Sequence, residues 1–188
     1  MQIGTNHLGH SALTNLLLPR ITDRVVVVSS DLHRNSRIDL ADLNWQRRPY
    51  KAWNAYSQSK LANLLFVLEL QRRLTDAGST VRAVAAHPGY AATNLQGRTA
   101  SPISNFFAAV ANRLVAQSDT MGALPTLYAA TADIPSGTYI GPDGFRHMRG
   151  HPAADTPASQ ALDTETARHL WELSEKLTSV SWPLSSPL

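Results

Sequence analysis

The sequence contains no cysteine, which excludes disulfide bonds, thiolate metal sites and a cysteine nucleophile. Charged residues are also sparse, at 16% of the 188 residues, against 43% hydrophobic residues. This balance is typical of a folded globular protein and excludes a disordered tail protein. The 17 Lys and Arg residues are scattered along the chain, and the formal net charge is only +3. We therefore expect no nucleic-acid partner.

Long hydrophobic runs are absent as well. The longest candidate, residues 13–18, stops at Pro19 and is much shorter than the roughly 18 to 20 residues that a membrane span requires. The first residues lack the basic and then apolar pattern of a secretory signal peptide. These absences predict no membrane span and a cytoplasmic protein.

Helical and strand-like patterns alternate along the first half of the chain. Leucines near helical spacing predict a helix over residues 5–18. A longer helix is predicted over residues 54–77, where Gly78 favours termination. Two short apolar runs, residues 24–30 and 81–86, predict strands, because such runs are typical of sheets covered on both faces.

The same alternation continues in the second half. Helices are predicted over residues 101–116 and 119–132, a short strand over 137–141, and a C-terminal helix bearing Leu170 and Leu173. This order of elements predicts an α/β fold with a parallel sheet and right-handed crossovers. An apolar first strand is typical of the centre of a sheet, but only three strands are predicted. We therefore expect residues 25–28 to form an edge strand here.

Tyr56 and Lys60 form the most specific local pattern. They are four residues apart at the start of the long predicted helix, so they lie one turn apart on the same face. A nearby ammonium favours the phenolate, so we expect Lys60 to lower the pKa of Tyr56 from about 10 toward neutrality. Such a tyrosine can pass a proton to or from a substrate oxygen. Ordinary solvent-exposed helices carry the same spacing, so the pattern does not decide function by itself.

Polar residues follow both predicted strands, at the edge where α/β sheets bind ligands. Ser29 and Ser30 end the first strand, and a turn at residues 87–89 ends the second. A strand-terminating pair and an ordinary turn are the structural alternatives to a functional role. Asn6 is a polar residue early in a mostly apolar helix, where a cap or a buried hydrogen bond is the alternative.

In their order along the chain, Asn6, Ser-Ser, Tyr-x-x-x-Lys and Pro-Gly-x-x-x-Thr resemble the motifs of the short-chain dehydrogenase/reductase family. The resemblance extends to about Gly141. The strings Asn-His-Leu-Gly-His at 6–10, Leu-Ala-Asn at 61–63 and His-Pro-Gly-Tyr at 87–90 are similar to the retinol dehydrogenase and protochlorophyllide reductase-like branch. The resemblance implies a doubly wound, Rossmann-like fold and hydride transfer between NAD(P)(H) and a small-molecule carbonyl or alcohol.

The resemblance also implies roles for individual residues. Tyr56 would be the general acid/base, and Lys60 would lower its pKa and hold the nicotinamide ribose. Ser30 would bind the substrate oxygen, and Asn6 would hold a water that links Lys60 to solvent. The residues implied to contact the cofactor are Tyr56, Lys60, Pro88, Gly89 and Thr93.

The chain departs from the family pattern in one respect. The family begins with a strand, a glycine-rich turn and a helix whose N-terminus binds pyrophosphate, and this sequence has no such pattern. We therefore expect residues 1–188 to be a single partial domain, the C-terminal part of such an enzyme. The branch favours NADP over NAD, although the segment that selects between them is not identified in the sequence.

Two functions of different classes remain open. The first is a nicotinamide-dependent oxidoreductase. The second is a truncated, non-catalytic remnant or interaction protein, which would bind cofactor poorly and self-associate through the exposed edge of residues 25–28. The seven histidines are scattered, so no metal site is predicted. A serine hydrolase is disfavoured because the Ser-Ser pair lacks the flanking glycines of a nucleophile elbow.

Overall fold

The computed structural model describes residues 2–89 and 118–184, and these form one sheet with helices on both faces. The strands are β1 (Arg24–Val28), β2 (Arg82–Ala86), β3 (Tyr139–Pro142) and β4 (Pro152–Asp155), in the spatial order β1-β2-β3-β4. The first three strands are parallel, and β4 is antiparallel to β3. The α/β class is therefore confirmed, with a mixed sheet in place of a wholly parallel one.

Four α-helices occupy the described ranges. They are α1 (Gly9–Leu17), α2 (Ala52–Asp76), α3 (Asp119–Thr131) and α4 (Thr164–Thr178). A π-helical turn, Gly4–Leu8, precedes α1 directly. The helix predicted over residues 101–116 lies outside the described residues. Within the described ranges, no helix has both the length and the apolar character needed to cross a membrane.

Alternation along the strands builds a core on each face of the sheet. In β2, Ala83 and Ala85 pack with the buried side chains of α2 and α4, whereas Val84 and Ala86 pack with the core beside α3. The strands β1, β2 and β3 each place apolar side chains on both faces of the sheet, which explains the continuous apolar runs in the sequence. β1 pairs with β2 alone among the described residues, so the predicted edge position of this strand is confirmed.

The fourth strand is absent from the sequence-based prediction. Its sequence, Pro-Ala-Ala-Asp, has none of the β-branched or aromatic residues that favour strands. The pairing is set by β3 instead: Tyr139 lies opposite Asp155, and Pro142 lies opposite Pro152. Directly opposed residues share a face of the sheet, so this register brings Asp155 beside the Tyr139 ring.

The buried face of the first predicted helix is polar. Three leucines in this helix, Leu13, Leu16 and Leu17, are exposed, and Leu16 is 65% exposed. The side chains turned inward are polar and include His7 and Asn15. The helix buries this face because α4 supplies a hydrogen-bonding partner for His7, which removes much of the cost of burying a polar group.

Candidate active site

The carboxyl ends of β1 and β2 lie side by side and carry most of the predicted site residues. The Ser29 amide donates to the Ala86 carbonyl at 2.7 Å, so the strand pairing continues one residue beyond β1. The Ser30 hydroxyl then accepts a hydrogen bond from the Leu32 amide at 3.3 Å and caps the short 3-10 turn Asp31–Asn35. The chain therefore leaves the sheet at Ser30.

Tyr56 lies near the start of α2, next to Ser30. Burial raises the pKa of the Tyr56 phenol, and a hydrogen-bonding interaction with the Ser30 side chain lowers it in part. The expectation that Lys60 lowers this pKa is therefore wrong. The Lys60 ammonium lies 5.5 Å from the centre of the Tyr56 ring and donates to the Val28 carbonyl at 3.2 Å. The phenol is protonated at neutral pH.

Lys60 follows Tyr56 by one helical turn and is half-buried, and this burial lowers the pKa of its ammonium. The Val28 carbonyl also accepts a hydrogen bond from Asn63 Nδ2 at 3.0 Å. The Ser29 hydroxyl donates to the Lys60 carbonyl at 2.9 Å. These hydrogen bonds fasten α2 to the end of β1, so the positions of Lys60 and of the serine pair depend on each other.

Asn6 lies in the π-helical turn and reaches α2 through Ser59. Its Nδ2 donates to Ser59 Oγ at 3.0 Å and to Gln2 Oε1 at 3.1 Å. The Ser59 hydroxyl is fully buried and donates to the Tyr56 carbonyl at 2.7 Å. Asn6 is therefore connected through Ser59 to the turn of α2 that bears Tyr56 and Lys60. π-helical turns are frequent at functional sites.

The turn after β2 lies at the same edge of the sheet. Gly89 has φ 69°, and an added Cβ would collide with the Met148 carbonyl, so both conformation and space require glycine. The Gly89 amide donates to His87 Nδ1 at 3.3 Å. Pro88 is described with this turn, whereas Thr93, the other predicted cofactor contact, lies outside the described residues.

A buried polar cluster lies beside these residues, and sequence reasoning missed its central member, Asp155. The carboxylate accepts a hydrogen bond from His87 Nε2 at 3.0 Å and lies 3.3 Å from Arg34 Nη2. Burial and the neighbouring Asp155 charge raise the pKa of Tyr139. Asp155 is 68 residues from His87 in the sequence, and no local pattern links the two.

The arrangement offers a proton donor, a second hydroxyl and an ammonium at one end of the sheet, from Tyr56, Ser30 and Lys60. This set suits proton transfer to an oxygen atom of a substrate. In the described part of the chain, no group of three or more His, Asp or Glu side chains is arranged to hold a metal ion.

Known proteins with similar sequences include named dehydrogenases. The chain is 41% identical to retinol dehydrogenase 13 of Homo sapiens over 194 residues, covering 97% of this chain and 55% of that protein. The chain belongs to the short-chain dehydrogenase/reductase family. Its retinol dehydrogenase branch is supported further by polyprenol dehydrogenase of Mus musculus, 38% identical over 94% of this chain and 52% of that protein. The chain spans about half the length of the curated relatives it matches.

A solved structure supports the described fold. An uncharacterized protein from Mycobacterium paratuberculosis matches with a TM-score of 0.77 and 51% identity, covering 97% of this chain and 60% of that chain. No protein-family model matches the chain. The predicted family is thus confirmed, while the roles of the individual site residues are proposals.

Proposed function

We propose that this chain contributes the substrate-binding and proton-transfer part of a nicotinamide-dependent oxidoreductase that interconverts a carbonyl and an alcohol. The observation that carries the proposal is the convergence of Ser30, Tyr56 and Lys60 at one end of the sheet. The names of the relatives, retinol dehydrogenase and polyprenol dehydrogenase, support the same reaction class. The presence of all three side chains at this end of the sheet favours this function over the non-catalytic alternative.

In this proposal Tyr56 donates the proton to the substrate oxygen during reduction, since burial keeps its phenol protonated. The Ser30 hydroxyl donates a hydrogen bond to the same oxygen and so stabilises the charge that develops there. Lys60 places a positive charge near the phenolate left after donation. Asn6 holds a water that links Lys60 to solvent and returns the proton.

A nicotinamide cofactor would supply or accept the hydride when bound. The donor set present fits its ribose, which offers two neighbouring hydroxyl groups. Lys60 Nζ has one acceptor among the described residues, the Val28 carbonyl, and retains N–H groups for a diol. The Tyr56 hydroxyl provides a second group on the same helix face. We assign Pro88, Gly89 and Thr93 to the nicotinamide side of the site.

Two finer assignments belong to the proposal. NADP is preferred over NAD, on the ground of the branch. Residues 1–188 act as a single partial domain. The matched relatives extend beyond the length covered by this chain, and we assign the glycine-rich segment that binds pyrophosphate to that unmatched part. The relatives' names make a long apolar isoprenoid alcohol, or its aldehyde, the first substrate to test.

The test is a fusion enzyme in which the part of the mycobacterial relative that this chain does not match is joined to this chain. Reduction of retinal is followed through the loss of NADPH absorbance. Tyr56→Phe is expected to lower kcat at least about 100-fold, because it removes the proposed proton donor. Lys60→Ala is expected to have a comparable effect. Tyr128→Phe is the matched control, since Tyr128 is an exposed tyrosine on α3.

Retention of most of the kcat in Tyr56→Phe would overturn the assignment of the proton donor. Loss of activity in Tyr128→Phe to the same extent would show that the effect is general and would also count against it. A fusion enzyme that is folded but reduces neither retinal nor simple aldehydes with NADPH or NADH would contradict the proposed function as a whole.

A further inference from the structure

One buried carboxylate contacts both of the segments that frame the proposed site. The Asp155 side chain, at the end of β4, is only 2% exposed. Its Oδ2 accepts a hydrogen bond from His87 Nε2 at 3.0 Å, and its Oδ1 lies 3.3 Å from Arg34 Nη2. His87 comes immediately before the turn at residues 88–89, and Arg34 comes four residues after Ser30. Asp155 therefore holds the segment after β1 and the segment after β2 at once.

His87 transmits this contact to the backbone of the turn. The hydrogen-bond pattern assigns the proton of the imidazole to Nε2, which donates to Asp155, and leaves Nδ1 as an acceptor. The Gly89 amide donates to Nδ1 at 3.3 Å. Hydrogen bonds at both ring nitrogens thus fix the imidazole of His87. The ring links the Gly89 amide to the Asp155 carboxylate through these two hydrogen bonds.

Gly141 of β3 provides the space for this contact. β3 lies between β2 and β4, so the His87 ring must cross β3 to reach Asp155. An added Cβ at Gly141 would overlap His87 Nε2 and the two ring carbons beside it. Only glycine leaves room for the His87 ring at this position. A larger residue at 141 would separate His87 from Asp155 while leaving both of those residues unchanged.

The segment after β1 is held by several neighbouring contacts. Arg34 Nη2, besides facing Asp155, donates to the Thr156 carbonyl at 2.8 Å. His33 Nδ1 pairs with the Ser30 carbonyl at 2.8 Å, and its Nε2 accepts from the Ala158 amide at 3.0 Å. The residues that follow β4 therefore hold the 3-10 turn Asp31–Asn35, which Ser30 caps.

We propose that Asp155 is a positioning residue that fixes the Ser30 segment and the Pro88–Gly89 turn relative to each other. The distance between the side of the site that binds the substrate oxygen and the side that faces the nicotinamide is then set by β4. The catalytic meaning of this distance rests on the proposed function, whereas the positioning itself is a property of the 188-residue chain and is tested on that chain.

Amide hydrogen exchange of the chain, measured by NMR, tests the positioning without cofactor or turnover. Asp155→Ala is expected to speed exchange of the Gly89 and His33 amides by about tenfold or more, because both lose their anchor. The Leu170 amide in α4 is expected to keep its rate. In spectra of chain labelled with ¹⁵N-histidine, the hydrogen-bonded Nε2–H signal of His87 is expected to disappear.

Two variants separate the two segments. Gly141→Ala displaces His87 and is expected to speed exchange at Gly89 alone. Arg34→Gln removes the other contact and is expected to speed exchange at His33 alone. Asp133→Asn is the matched control, because Asp133 also pairs with an arginine but is fully exposed at the opposite end of the sheet. It is expected to change neither rate.

Unchanged exchange of both amides in Asp155→Ala would overturn the proposal. Equal acceleration of both amides in each single-segment variant would overturn it as well. If Asp155→Ala also speeds exchange of the Leu170 amide, the variant has lost its global fold. Gly141→Ala and Arg34→Gln then decide, and unchanged exchange of Gly89 in the first and of His33 in the second would overturn the proposal. An inactive fusion enzyme would contradict the proposed function and leave these exchange rates unaffected.

Discussion

At the scale of single residues, the protonation state of Tyr56 separates the two directions of the proposed reaction. Burial raises the pKa of the phenol, so carbonyl reduction by the fusion enzyme is expected to be constant near neutral pH and to fall at alkaline pH. Alcohol oxidation needs the phenolate and is expected to rise with pH. The measurement is kcat in both directions from about pH 6 to about pH 11, so that the range extends above the ordinary phenol pKa of about 10.

Ser30→Ala provides the control for this assignment. The Ser30 interaction lowers the pKa of Tyr56, so its removal is expected to move the alkaline fall of the reduction rate to higher pH. A shift to lower pH, or a reduction rate that increases steadily from neutral to alkaline pH, would contradict Tyr56 as the proton donor.

Burial of His7 makes the stability of the folded chain depend on pH. The ring is fully buried beside Ser174, with Nε2 2.8 Å from Ser174 Oγ, and burial lowers the pKa of His7 to about 4. In the unfolded chain the imidazole takes up its proton near pH 6.5, so acid favours unfolding. Stability is therefore highest above about pH 6.5 and falls toward pH 4, by up to about 3 kcal/mol.

Urea unfolding at pH 7 and about pH 4.5 measures this loss. In His7→Gln the difference between the two pH values is expected to be smaller than in the parent chain, because the titrating group is gone. His151→Gln, at an exposed histidine, is expected to retain the full difference. An unchanged difference in His7→Gln would assign the acid sensitivity to other groups.

The sequence identifies site residues more readily than it identifies their surroundings. The spacing of Tyr56 and Lys60 follows from helix geometry, and Ser30 follows from its place after an apolar run. The direction of the Tyr56 pKa shift depends on how much of the phenol is buried, which distant segments determine. Asp155 carries no sequence signal, because its partners come from two other strands and the turns after them.

At the scale of elements, α2 is the central helix, since it contacts the sheet and packs along α4. Leu70 in α2 is fully buried in this core. Leu70→Ala is expected to lower the free energy of unfolding by about 2 to 5 kcal/mol, through lost burial and the cavity left behind. Leu177→Ala, at an exposed leucine of α4, is expected to change it by less than about 0.5 kcal/mol.

Urea unfolding curves of the two variants test this difference. Equal effects at both positions would contradict the described core, in which α2 is buried along most of its length.

Elements with strong local patterns were predictable, and those that depend on neighbours were not. The residues of α2 and β1 are predictable because apolar periodicity and β-branched content are properties of the segment itself. β4 was missed because its pairing is imposed by β3. The burial of His7 in the π-helical turn is not predictable from periodicity, because its hydrogen-bonding partner, Ser174, comes from another element.

At the scale of the whole molecule, apolar groups remain at the surface. Leu13, Leu16 and Leu17 of α1 are exposed, and the outer edge of β1 has no strand beside it among the described residues. Such surfaces favour association with another chain. We expect the purified chain to elute from a sizing column as species larger than a monomer, in a concentration-dependent way.

Leu16→Lys is expected to shift this equilibrium toward the monomer, because it places a charge at the centre of the exposed leucine cluster of α1. Leu162→Lys is the matched control, since Leu162 is comparably exposed but lies outside α1. A parent chain that is monomeric at every concentration, or equal shifts in the two variants, would contradict the prediction.

The π-helical turn Gly4–Leu8 determines the angle at which Asn6 lies around the helix axis. Each residue of an α-helix advances the chain by about 100° around the axis, and a π-helical turn contains one residue more than an α-helical one. Deleting Leu8 would tighten the turn and rotate Asn6 by about that angle relative to α1, away from Ser59. The number of residues in this turn therefore sets the direction of the Asn6 amide as much as their identity does. A deletion in the turn would remove the hydrogen bond from Asn6 to Ser59, as a substitution of Asn6 would.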